Sequence, residues 1–352
     1  MCIHCKNIYQ HTDNFVGLKN TDTELISGRL EIVQNPLVSI IITVYKRKNY
    51  IDEAINSAIN QKNINFDYEI IVIYDDPDAV LDNNYQHVKN IYFYRNVKNL
   101  GLYNSTNLAA KVARGRYIAF LHDDDILYPE YLSNVHKFLV NKKHKPKCVL
   151  VNRDVTGLSL QKPTYKKIFK CILTVIFSPL FLFRIMFRKP YKKITLCEGL
   201  TYLLSNIYKA PSCGTLFEKD AFLNSGGFNQ DFWPVSDYYF FLKFNYNYPV
   251  YILRKKLACY RWLDNLSQKR SIQFMGLEHF SVFLKSDQPI NSINKYYSFF
   301  HKEVLYSKFL MVNREYRDEI INKYPELNKM AKTKWVFFKS YNLSFKFIHD
   351  LV

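Results

Sequence analysis

Leu37 to Val44 (LVSIIITV) is a nearly continuous run of β-branched and aliphatic residues, broken only by Ser39 and Thr43. A strand with no polar face cannot lie on water, so the run belongs in a parallel sheet covered on both sides. The next segment reads as a helix. Asn49 is placed to cap it, Asp52 and Glu53 fall in its first turn, and Ile51, Ala54, Ile55, Ala58 and Ile59 recur on one face. A second apolar strand, Glu69 to Tyr74 (EIIVIY), ends on Asp75 and Asp76. Strand, helix, strand, with polar residues at both strand exits, is the start of a doubly wound α/β sheet whose ligands sit beyond the carboxyl ends of the strands. Thr43, Tyr45, Arg47 and Asp75 would then line one crevice.

The pattern continues with a strand at Ile91 to Arg95, a loop carrying Asn99 and Gly101, and a helix from about Leu102 to Ala113 that buries Leu108, Ala109 and Val112. Arg114-Gly115 ends that helix. The chain then enters YIAFLHDDDILYP, Tyr117 to Pro129, in which a strand runs through Leu121 and His122 into Asp123, Asp124 and Asp125. Pro129 opens the next helix. Three adjacent carboxylates repel one another and are tolerable only if solvated or neutralised. A divalent cation neutralises them economically, and oxygen ligands suit Mg²⁺ or Mn²⁺. The alternative is a solvated acidic turn capping the helix that follows. Three strand exits, at Tyr45, Asp75 and Asp123, therefore converge on one sheet edge.

Residues 36–130, with PLVSIIITVYKR, EIIVIYDD, NLG, ARGRYIAFLHDDD and a proline four residues after the last aspartate, resemble the nucleotide-binding half of family 2 glycosyltransferases of the GT-A fold. The likeness resumes near residue 210 and ends near Ser267. It implies a UDP-sugar donor whose uracil stacks on Tyr45, flanked by Thr43 and Arg47, with Asp75 at the base edge. It also implies that Asp123 contacts the ribose and that Asp124, with Asp125 beside it, holds the metal, Mn²⁺ or Mg²⁺. Where the family commonly has a glycine after the paired aspartates, this chain has Pro77.

In the second half, Ala210 to Phe217 (APSCGTLF), a short helix from Lys219, Gly226-Gly227-Phe228 and Ser236-Asp237-Tyr238 resemble the family's acceptor region. The matching catalytic base is Asp237, at the start of an aromatic helix, Tyr238 to Phe244; read without the resemblance, Asp237 is equally a helix cap. Tyr260-Arg261 resembles a motif near the donor diphosphate, so Arg261 is expected to contact phosphate, although Leu263 stands near the place of the usual histidine. The chemistry this implies needs one base, because the leaving diphosphate departs as an anion and requires no acid. A single displacement inverts the anomeric centre, unlike glycoside hydrolysis with its two facing carboxylates.

The remaining features concern partners. The 352 residues carry a formal charge of +18, which calls for an anionic partner. Seven scattered cysteines, with no signal-peptide pattern ahead of them, are expected as reduced thiols of a cytoplasmic protein. Residues 1–35 show little pattern and are expected as an N-terminal arm, 36–270 as the GT-A domain, and 271–352 as a helical extension whose aromatics face the domain, a membrane or a second copy in a homo-oligomer. A sugar nucleotidyltransferase would carry a glycine-rich loop after the first strand, and TVYKRKN has none. A nucleic-acid binder would spread its cations along a groove among exposed aromatics, so no nucleic-acid partner is expected.

Here the cations gather instead in residues 155–197, which hold nine lysines and arginines and no acid around Cys171 to Phe183 (CILTVIFSPLFLF). Thirteen uncharged residues are too few to span a bilayer and suit an interfacial element, while flanking cations suit anionic head groups. This places the chain peripherally on the inner face of the cell membrane, with a glycan or lipid-linked glycan as acceptor; the alternative is a buried core helix with a solvated basic loop. The expected outcome is flotation with anionic liposomes at low salt, weakened by salt and by Ile176→Glu with Phe181→Glu. Wild-type protein that stays unbound under those conditions removes the membrane reading.

Overall fold

The structure is a computed structural model that describes residues 13–28, 33–47, 49–80, 83–140, 146–156, 190–194, 213–261, 269–285 and 316–323. Ten strands form one mixed sheet: β1 (Thr23–Gly28), β2 (Val38–Val44), β3 (Tyr68–Tyr74), β4 (Ile91–Asn96), β5 (Tyr117–His122), β6 (Ile126–Leu127), β7 (Cys148–Thr156), β8 (Tyr191–Ile194), β9 (Thr215–Glu218) and β10 (Val250–Arg261). The order is β1-β4-β3-β2-β5-β9-β7-β10-β6, with β8 also on β10. Strands β4, β3, β2 and β5 are mutually parallel. Antiparallel β9 joins them to β7, which pairs in parallel with β10. This is a large mixed α/β sheet covered by helices on both faces.

Every residue of β2 is buried, as an all-apolar central strand requires. Its alternating side chains feed two cores. Ile40 and Ile42 face α1 (Ile51–Ile59) and α3 (Tyr131–Leu139), where Ala54, Ile55, Tyr131, Leu132 and Val135 are also buried. Ile41 faces α2 (Leu102–Val112), α4 (Lys219–Asn224) and α5 (Ser236–Asn247). On this second face six phenylalanines, Phe120, Phe217, Phe222, Phe228, Phe240 and Phe244, pack with ring centroids 4.8–5.8 Å apart. Aromatic pairs in these tilted and edge-on arrangements add to the stabilisation from burial. They fasten the segment carrying Asp237 onto the parallel strands through Phe120 of β5.

Two local expectations change. Asn49 does not cap α1; Tyr50 holds the cap position without a side-chain bond, and Asp52 in the first turn instead accepts from Tyr85 Oη at 2.7 Å. Within residues 1–35, Thr23–Gly28 is a strand paired antiparallel with β4. Its sequence, TELISG, shows no clean alternation because an edge strand with mixed burial exposes even Leu25. Ahead of it, Asn14 donates to the carbonyls of Gly226 (2.8 Å) and Gly227 (3.2 Å), and Phe15 meets Phe222 edge-on. Of the basic stretch 155–197, Tyr191–Ile194 is a strand on β10, while the apolar run 171–183 lies outside the described residues. Among the described residues no helix is long and apolar enough to cross a membrane. The C-terminal extension is described only at α6 (Arg270–Lys285) and α7 (Arg317–Lys323), joined by an Arg270–Glu319 ion pair.

The start of the parallel sheet is pinned by a buried carboxylate. Glu69, fully buried, accepts from Ser39 Oγ at 2.6 Å and the Arg114 main-chain N–H at 2.6 Å, and pairs with the Arg114 guanidinium. Ser39 Oγ in turn accepts from Gly115 N at 2.8 Å. Arg114→Leu would leave the carboxylate charged and half-satisfied. Because Arg114 is partly exposed, we expect a loss of about 3 kcal/mol, the low end for breaking a buried pair, measured by urea unfolding.

Candidate active site

The carboxyl ends of β2, β3 and β5 bring the sequence-predicted residues to one edge. Tyr45, directly after β2, is 49% exposed, with the Lys46 ammonium 5.4 Å from the centre of its ring. Thr43 is buried and shares a 3.1 Å hydrogen bond with Thr106 Oγ1 on α2, so it fixes the helix against the strand. Asp75 is also buried. Its Oδ1 accepts from Asn96 Nδ2 (2.9 Å) and Leu100 N (2.8 Å), and its Oδ2 from Gly101 N (2.9 Å). The carboxylate expected at the base edge therefore shapes the loop that launches α2. Burial raises its pKa and these donors oppose the rise. Gly101 sits at φ 83, where a side chain would be strained and would strike the Gln230 amide.

The acidic triplet is neither bare nor solvated. Arg47 pairs with Asp124 and lies 3.6 Å from Asp123 Oδ1. Burial works against the charge of Arg47, but Asp123 and Asp124 outweigh it and hold the guanidinium protonated. Burial pushes Asp123 up to about 6 against the pull of Arg47. Asp125 is completely buried, and burial likewise pushes it up to about 6, opposed by His122. Its Oδ1 accepts from the Arg261 main-chain N–H at 3.1 Å, whereas its buried Oδ2 takes no hydrogen bond and lies 3.7 Å from His122 Nδ1. Arg261, expected at the diphosphate, turns its guanidinium to Glu53 and stacks 4.7 Å from the centre of the Tyr50 ring.

His122, Asp124 and Asp125 place one ligand atom each within 4.8 Å of one another. Two carboxylate oxygens and an imidazole nitrogen fit Mn²⁺ or Mg²⁺, and the unbonded, buried Asp125 Oδ2 is the kind of atom a cation would satisfy. His122 was absent from the expected ligands, since a histidine at a strand end carries no signal until the turn brings Asp125 back beside it.

Asp237 lies in the first turn of α5 and is half-buried. It is not the cap, a position held by Val235. Its Oδ1 accepts from Tyr238 N at 2.9 Å and lies 3.3 Å from Tyr103 Oη. Burial pushes Asp237 up to about 6, opposed by the Tyr238 N–H, the charge of His122 and the Tyr103 hydroxyl. The influence of His122 ties this carboxylate electrostatically to the acidic triplet. Upstream, the Gly226-Gly227-Phe228 turn is held by Asn107 on α2, which donates to Phe228 O (2.7 Å) and accepts from Phe228 N (2.9 Å). Gly227, at φ 65, leaves no room for a Cβ between Asn107 and Phe15.

A large, mostly parallel sheet flanked by helices, with an acidic triplet at a central strand end, is an α/β fold of the GT-A class. Residues 1–349 of S. aureus TarS, solved with UDP-GlcNAc, share this fold with a TM-score of 0.55 at 16% identity, over 89% of this chain and 90% of that one. Residues 39–210 match the model of glycosyl transferase family 2, and this part of the chain is a family 2 glycosyltransferase domain. An uncharacterized glycosyltransferase of Methanocaldococcus jannaschii is 34% identical over 117 residues, 32% of this chain and 40% of that relative. The poly(ribitol-phosphate) beta-glucosyltransferase of Bacillus spizizenii is 31% identical over 136 residues, 37% of this chain and 21% of that relative. The chain thus spans no more than two fifths of the length of these two curated relatives.

Asp124→Asn should weaken Mn²⁺ binding, read by the electron paramagnetic resonance of free Mn²⁺, by more than the ~10- to 100-fold that loss of a supporting group costs. Unchanged affinity would remove Asp124 from the ligand set.

Proposed function

We propose that the chain transfers a sugar from a nucleotide-sugar, a UDP-sugar in the first instance, to a hydroxyl of a glycan acceptor with inversion. The observation that carries this is the half-engaged Asp237 carboxylate: its Oδ1 is held by Tyr238 N and Tyr103 Oη, and no other described residue bonds its Oδ2. In the reaction, the acceptor oxygen attacks the anomeric carbon while its proton passes to Asp237. The bond to the diphosphate breaks, with its electron pair kept by the diphosphate. One displacement inverts the centre, and Asp237 is the only acid–base group the step needs. A divalent ion held by Asp124, Asp125 and His122 would supply positive charge against the departing diphosphate.

Tyr45 provides an exposed aromatic face for the donor base, with Asp123 toward the ribose and Arg47 beside it. The family match favours glycosyl transfer over nucleotidyl transfer or nucleic-acid binding. A uridine donor is supported by TarS, solved with UDP and with UDP-GlcNAc. The Bacillus relative takes poly(ribitol-phosphate), an anionic polymer, which suits a chain of charge +18. The acceptor is accordingly an anionic or lipid-linked glycan of surface polysaccharide synthesis, met at the membrane face.

Thermal-shift screening of nucleotide-sugars with Mn²⁺, followed by assay of UDP release, tests the donor. Asp237→Asn should keep donor binding and lower turnover about 10²- to 10⁴-fold. Since Asp237 must be deprotonated to act and sits at about 6, the rate should be full above that pH and fall about tenfold per unit below it. An acid limb unchanged in position by removal of Asp237 from the reaction, or wild-type turnover in the asparagine variant, would sink the assignment.

A further inference from the structure

We propose that Tyr103 is the positioning residue for the proton-accepting carboxylate: its phenol fixes Oδ1 of Asp237 and so reserves Oδ2 for the acceptor hydroxyl. This rests on the reading of Asp237 as the base. Tyr103 is 6% exposed and stands in the first turn of α2, across the boundary between the nucleotide half and the acceptor half. Its hydroxyl lies 3.3 Å from Asp237 Oδ1 and 3.0 Å from the Pro234 carbonyl. Both are acceptors, so the single phenolic proton is shared between the carboxylate and the loop that carries it. The Tyr238 N–H takes the other approach to Oδ1 at 2.9 Å. Both hydrogen bonds that other described residues make to this carboxylate therefore end on one oxygen, and the Asp237 main-chain N–H adds its own pull on the group. An oxygen that already accepts two hydrogen bonds is the poorer proton acceptor, and the proton is directed to its neighbour.

The phenol is held as firmly as the group it holds. The Tyr103 ring packs 5.4 Å from Phe228, in the turn gripped by Asn107. Its own main-chain N–H donates to Gln230 Oε1 at 3.0 Å. Gly101, the cap residue of α2, has no side chain to satisfy that donor, so the acceptor half caps the helix from outside. Two residues earlier, the Gly101 N–H is held by Asp75. Residues 100–103 are thus tied on one side to the strand that leads to the donor crevice and on the other to the base. Burial, and then the nearby Asp237 charge, raise the Tyr103 pKa well above its ordinary value, so the phenol remains a donor throughout the working range.

Three groups face Asp237: Tyr103 from α2, His122 from the end of β5 and the neighbouring Tyr238 on α5. Burial raises Asp237, and the Tyr103 hydrogen bond is among the forces that oppose the rise. Tyr103→Phe keeps the ring and removes only the hydroxyl. The test is carbon-13 NMR of the full-length chain labelled at the aspartate carboxyl carbon, with Asp237→Asn identifying the resonance by its loss. We expect the Asp237 midpoint to move up by about one pH unit in Tyr103→Phe. With the UDP-sugar that supports turnover, the acid limb should move by the same amount, with donor KM unchanged and the rate recovered at high pH. A resonance that titrates at the wild-type midpoint, or a rate loss equal at every pH, overturns the proposal and reduces Tyr103 to packing. Transfer that survives Asp237→Asn overturns the base reading instead, and the proposal with it.

Discussion

Asp75 is the contact on which the arrangement of both halves depends. It is buried at the end of β3, and a carboxylate there is tolerable only because three donors converge on it. Two of those donors are consecutive main-chain N–H groups, of Leu100 and Gly101, so the bond sets the direction in which α2 leaves its loop. From that helix Thr106 reaches β2, Asn107 grips the Phe228 turn, and Tyr103 meets Asp237. The side chain expected at the base edge thus also fixes the frame from which Thr106, Asn107 and Tyr103 reach their partners.

Packing completes what that hydrogen-bonded frame begins. The phenylalanine cluster buries the underside of the segment from Phe217 to Phe244. A hydrophobic cluster resists sliding only when its backbone is also fixed, because apolar contacts have little direction. Here direction comes from Asn107 and from Asn14, which bond the Gly226-Gly227 turn from opposite sides in sequence. The positive φ of Gly227 and the close approach of Phe15 explain why the turn needs glycine there.

The central strands were legible because their signal is local: an all-apolar run such as β2 admits few other structures, and β3, β5 and α2 fall within a residue or two of their expected ends. The convergence of Tyr45, Asp75 and Asp123 on one edge followed from topology alone. What each polar side chain does there did not follow, because it depends on partners far away in sequence. Arg47 is 77 residues from Asp124, and the Arg261 N–H is 136 residues from Asp125. The edge strand β1 was hidden for a different reason, since its burial is irregular and its pairing carries the information. The divalent cation expected at the triplet came from its charge alone, and that local charge carried no sign that Arg47 pairs with Asp124.

Asp125 and Asp237 are built on the same plan and end with different chemistry. In each, a main-chain N–H holds Oδ1, from Arg261 at 3.1 Å in one and from Tyr238 at 2.9 Å in the other. In each, Oδ2 takes no hydrogen bond from another described residue. Burial raises both to about 6, so neither carboxylate bears its charge cheaply, and each gains by receiving a positive partner on the second oxygen. The surroundings decide which partner. Asp125 is sealed beside His122 and Asp124, a cluster of donors that a proton cannot bridge but a divalent ion can. Asp237 is half-buried, and among the described residues it belongs to no such cluster, so on the proposed reading the partner its second oxygen takes is a single proton.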